Sequence, residues 1–113
     1  MKELKNYDLT DTEKALLESS QFRYYIESIT TEISKKKETK GLVISFYRLY
    51  AVNKTTAELK DITYCLCRKF DGQYCTKYDA IQVSISGVDE SRIVVESVLS
   101  ILKNGKEHNL IKF

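Results

Sequence analysis

"FRYYIESITTEI", residues 22 to 33, is the stretch that decides the fold, because its spacing and its residue types point in different directions. Together with the segment before it, Ala15, Ser19, Phe22, Ile26, Ile29 and Ile33 recur at steps of 4, 3, 4, 3 and 4. Such spacing lays one stripe along a helix. It predicts helix through about residue 34, with Ala15, Phe22, Ile26, Ile29 and Ile33 as the buried seam. Aromatic and β-branched side chains favour strands instead, so for residues 21–34 the strand alternative stays open.

The segment before it has a mechanism of its own. In "LTDTEKALLESS", Thr10 is a good N-cap and Glu13 stands three residues later, the spacing of a capping box. Residues 11–20 therefore read as helix. Downstream, "SKKKETKG" is a polar connection, and "LVISFYRLYAV", residues 42 to 52, reads as a strand. A further strand runs over about 60–70 and turns at Asp71-Gly72. The return strand ends in "AIQVSIS", where Ile81, Val83 and Ile85 alternate with polar residues. Ser86 with Asp89 resembles a second capping signal, ahead of a helix whose apolar face is Val94, Val95, Val98, Leu99, Ile101 and Leu102. Lys103, Asn104 and Gly105 supply its expected stop, and "EHNLIKF" a short edge strand. One α+β domain over residues 1–113 follows: an antiparallel sheet of three to five strands with two helices.

Composition sets the outer bounds. The 113 residues are 42% hydrophobic with 12 aromatic side chains, which fits a folded chain with one modest core. No apolar run approaches the roughly 20 residues of a membrane helix. The opening residues lack a secretory h-region, and an odd number of cysteines without a signal points to a reducing, cytosolic setting. Charge is uneven along the chain. Residues 1–33 hold four basic and seven acidic groups, and the remainder holds fourteen and nine. Such a bipolar molecule could steer an anionic partner to one end.

All three cysteines flank the Asp71-Gly72 turn. A two-residue turn there sets Ile62 opposite Ile81 and Arg68 opposite Cys75. Side-chain alternation then groups Cys65 and Cys67 on one face with Lys69, Tyr74 and Tyr78, and sends Cys75 to the other. The sulfurs diverge, and His108 is the sole histidine, so four zinc ligands do not assemble. No metal or cofactor is expected. Catalysis by a cysteine would need a base beside it, and no glycine-rich phosphate loop is present, so an enzyme is not expected either.

Nucleic-acid binding has tangible support. Lys35, Lys36, Lys37 and Lys40 cluster in one loop, while Arg48, Arg68 and Lys69 punctuate strands rich in tyrosine. Cations hold phosphates without reading sequence, and aromatic faces stack unpaired bases. Tyr74 and Tyr78, with Lys69 across the hairpin, would complete such a surface for single-stranded RNA. The alternative is a module that inhibits or adapts a protein partner without touching nucleic acid. The order α-β-β-β-α invites comparison with double-stranded-RNA-binding domains. Their lysine-rich second helix is replaced here by the acidic start "VDESR", and the assignment is rejected.

The opening "NYDLTDTEKALLESSQFRYYIESIT", residues 6 to 30, and a Lys/Tyr/Ile-rich chain without Trp or Pro resemble the PrgU-type proteins. These are small cytosolic regulators carried on pheromone-responsive conjugative plasmids of Gram-positive bacteria. The resemblance implies a PUA-like, RNA-associated, β-rich fold and negative control of surface-adhesin production. It carries over no functional residue.

Overall fold

The computed structural model describes residues 1–63, 77–85 and 90–107. In chain order the elements are β1 (Lys2–Glu3), α1 (Asp11–Ser19), β2 (Phe22–Ile33), β3 (Val43–Asn53), β4 (Leu59–Asp61), β5 (Ile81–Ile85) and α2 (Glu90–Glu107). Single 3-10 turns lie at Leu4–Asn6, Lys37–Thr39 and Lys77–Asp79. The five strands make one antiparallel sheet ordered β1-β2-β3-β4, with β5 also paired to β3. With the two helices this is an α+β fold.

The helix expected at 21–34 is a strand. β2 pairs with β3 along its whole length, from Phe22 opposite Asn53 to Ile33 opposite Val43. A step of four positions is in phase with a helix and with a strand alike; only the steps of three discriminate. One of those, Ser19 to Phe22, spans the point where α1 has ended at Ser20. The other, Ile26 to Ile29, falls on a β-bulge: Ser28 pairs with Tyr47 and Thr30 with Phe46, leaving Ile29 as the extra residue. The bulge shifts the alternation. Tyr24 and Ile26 are buried before it, Thr31 Oγ1 meets Ser45 Oγ at 3.3 Å after it, and Ile33 is 67% exposed.

The expected hairpin pairing of Ile62 with Ile81 is also corrected. β4 and β5 both run antiparallel to β3, against Tyr50–Val52 and Val43–Tyr47 respectively, so they lie in line on the same edge. Ile62 N–H extends the first pairing to the Leu49 carbonyl at 3.0 Å. Thr63 then closes it. Its hydroxyl accepts from Leu49 N–H at 2.6 Å and donates to Leu49 C=O at 3.2 Å. Ile81 pairs on this same edge, opposite Tyr47. The Asp71-Gly72 turn, Cys65, Cys67, Cys75, Arg68, the Ser86–Asp89 cap, His108 and the expected edge strand in the tail lie outside the described residues.

One contiguous core fills the space between the sheet and both helices. Tyr24, Ile26, Tyr47, Leu49, Ala51, Ile81 and Val83 from the sheet meet Leu17 of α1 and Val94, Val95, Val98, Ile101 and Leu102 of α2. The α1 N-terminus is the expected capping box: Glu13 N–H donates to Thr10 Oγ1 and Thr10 N–H donates to Glu13 Oε1. The same carboxylate receives both Arg92 Nη1 (2.8 Å) and Nη2 (2.9 Å) from α2, which binds the two helices together. The second helix does not stop at Gly105. It runs on to Glu107 with Gly105 buried inside it; a glycine in a helix interior costs about 1 kcal/mol against alanine, which the packed apolar face of α2 outweighs.

Candidate nucleic-acid interface

The sheet face turned away from the helices carries the side chains that could contact a ligand chain. Strand alternation puts Arg23, Tyr25 and Glu27 of β2 on it, opposite Val52, Tyr50 and Arg48 of β3. Beyond the bulge, Thr30 and Glu32 share this face with Phe46 and Ile44. Tyr25 and Tyr50 are direct cross-strand partners and both are half-buried. The Arg23 guanidinium lies 5.7 Å from the Tyr25 ring centroid, a cation–π distance.

Tyr78 packs over the far end of this face. Its ring stands edge-on to Phe46 at 5.1 Å and 75°, its hydroxyl donates to Glu32 Oε1 at 2.7 Å, and its carbonyl accepts from Arg48 Nη2 at 2.9 Å. Phe46 is only 3% exposed beneath it, while Tyr78 itself is 44% exposed. Tyr78 and Asp79 both have left-handed backbone, with φ of 67° and 49°. Such conformations in non-glycine residues persist where the surroundings over-determine them, and they collect at functional sites. Here Phe46 and Glu32 hold the exposed ring and Arg48 holds its backbone.

The predicted lysines sit beside it. Lys35, Lys36, Lys37 and Lys40 are all exposed in the β2–β3 turn. Ser34 N–H donates to Leu42 C=O (2.8 Å) and Gly41 N–H to Ser34 C=O (3.2 Å), so the lysine-bearing residues are held as a closed loop. Gly41, at φ +86°, supplies the left-handed residue this closure requires. Glu32, which anchors the Tyr78 hydroxyl, is three residues before Lys35, so their backbones are at most about 10 Å apart. The structure thus brings Tyr78 and the four lysines to one end of the sheet. Lys69 and Tyr74 lie outside the described residues.

The face is not uniformly basic. Glu27 Oε1 meets Arg48 Nη1 at 3.6 Å and accepts from the Tyr50 hydroxyl at 3.5 Å, and Asp61 is paired opposite Tyr50. Burial, and then the charge of Glu27, push the Tyr50 hydroxyl above its ordinary range, so it stays protonated. Among the described residues no three His, Cys, Asp or Glu side chains gather as a metal centre would need. No helix among them is long and apolar enough to cross a membrane.

Sequence reasoning missed Arg23, Tyr25 and Tyr50. With residues 22–28 taken as a strand, Arg23 and Tyr25 fall on the face opposite Tyr24 and Ile26, and "FYRLYAV" places Arg48 and Tyr50 opposite Leu49; the signal is there once the period is known. No protein-family model, curated protein or solved structure matches this chain.

Proposed function

We propose that this chain is a small cytosolic regulatory protein, binding rather than catalytic, that holds single-stranded RNA at the lysine-turn end of the outer sheet face. Tyr78 carries the reading: an exposed ring, held by Phe46 and Glu32 on strained backbone that Arg48 anchors, next to four exposed lysines. A ring held in place stacks a base without a further ordering cost, and lysines attract phosphates whatever the sequence. Glu27 and Asp61 make the rest of the face unwelcoming to phosphates, so the footprint is short and centred on the turn. The resemblance to PrgU-type regulators implies negative control of gene expression and a PUA-like fold.

A second reading has its own observation. Half-buried Tyr25, Tyr50 and Arg48, interleaved with carboxylates, have the composition of a protein interface, where tyrosine and arginine are enriched. Binding of fluorescent single-stranded RNA over a salt series separates the two. The RNA reading requires affinity that falls as salt rises. Folded protein with no salt-sensitive binding would transfer the proposal to a protein partner.

A further inference from the structure

A cleft lies at the opposite end of β2 from the lysine turn, roughly 36 Å away at about 3.3 Å per strand residue. It has a volume of about 350 Å³, in the range of small-ligand sites, and an apolar floor of Leu4, Leu17, Phe22 and Tyr24. Its rim carries four cations, Lys5, Lys14, Arg23 and Lys54, against two carboxylates, Glu3 and Glu18.

The cations are not all spent within the fold. Glu3 is 6% exposed and is shared: Arg23 Nε donates to Oε1, and Lys5 Nζ lies 3.1 Å from Oε2. Two positive charges thus face one negative. Lys54 Nζ donates to the Leu17 and Glu18 carbonyls at 3.3 and 3.1 Å, which offsets the negative end of α1. Lys14 has no carboxylate partner among the described residues.

From this arrangement we infer that the cleft binds a phosphate monoester carried on a planar ring, a ligand of the nucleoside monophosphate class. The excess of cations on one rim seats a dianion, and the half-buried Phe22 ring gives a flat apolar body a surface to lie on. This site is separate from the lysine turn and does not depend on RNA binding there.

The test is a titration of the full chain with the four nucleoside 5′-monophosphates, the matching nucleosides and inorganic phosphate, followed by amide resonances and melting temperature. One or more monophosphates should shift the amides of Leu17, Phe22 and Tyr24 and raise the melting temperature. The nucleoside and phosphate alone should each bind at least about tenfold more weakly. Lys14→Glu should weaken the monophosphate about tenfold, the worth of one charge-assisted hydrogen bond, while leaving the ligand-free melting temperature unchanged. Lys14→Gln is the milder variant if the reversal disturbs folding. The inference fails if no amide of the cleft moves at several millimolar ligand. It also fails if the shifts map to residues 35–40, or if neither Lys14 variant alters affinity.

Discussion

Tyr78 holds a backbone conformation that costs of order 1–3 kcal/mol in a non-glycine residue, and its contacts with Phe46, Glu32 and Arg48 help to offset that cost while the residue stays 44% exposed. If the ring stacks a base, Tyr78→Ala should weaken single-stranded RNA binding by roughly 1–3 kcal/mol and leave the salt dependence nearly unchanged. The double change Lys36→Ala and Lys37→Ala should behave differently. It should weaken all sequences alike and flatten the salt slope by about 0.7 for each phosphate no longer neutralised. Melting curves must come first, because Tyr78→Ala also uncovers Phe46. Equal effects of both variants on the slope would argue against a division of labour. Ala57 gives a control outside the lysine turn. It is exposed, at φ 62°, in the turn closed by its N–H to the Asn53 carbonyl at 2.8 Å. Ala57→Gly relieves about 1–2 kcal/mol of left-handed strain and adds about 0.5–1 kcal/mol of chain entropy to the unfolded state, so a small rise in melting temperature is expected.

β2 is the element where sequence and fold part, and its isoleucines make the difference measurable. Ile26 is 2% exposed against Leu49 of β3, so Ile26→Ala should cost roughly 2–5 kcal/mol. Ile33 is 67% exposed, and Ile33→Ala should cost well under about 1 kcal/mol, as surface changes do. A continuous helical seam would make both costly, and denaturant melts of the two variants decide between them. The α1 cap was legible because Thr10 and Glu13 act on each other within four residues, and β3 because its apolar alternation needs no help from outside. β2 was not, because its strand state is imposed by β3, and its bulge disguised the alternation at the one step that could have revealed it. The expected stop at Gly105 failed for the same reason: burial against the sheet overrode a local signal. The exposure of Lys35, Lys36, Lys37 and Lys40 was legible in their polar run. Tyr25 and Tyr50 became visible only once the strand phase was fixed.

At the scale of the molecule, the two helices are joined through one carboxylate. The hydrogen bonds from Arg92, and then that from the Thr10 backbone, hold Glu13 down at about 2. Because this lies below the ordinary value of 4.5, the carboxylate contributes its full stability above that value. The contribution is lost as pH falls through the window toward 2. Wild type and Arg92→Ala should therefore differ most in stability near neutral pH and converge across that window; a difference that stays constant down to the lower limit would mean that the pair adds nothing. The path of the chain along β3 has a consequence of another kind. β4 and β5 cover one edge of β3 end to end, against Tyr50–Val52 and Val43–Tyr47. A bare edge is a template on which another chain can pair and aggregate. The guard over the central strand is divided between two segments distant in sequence, so loosening either one bares only the stretch it covers.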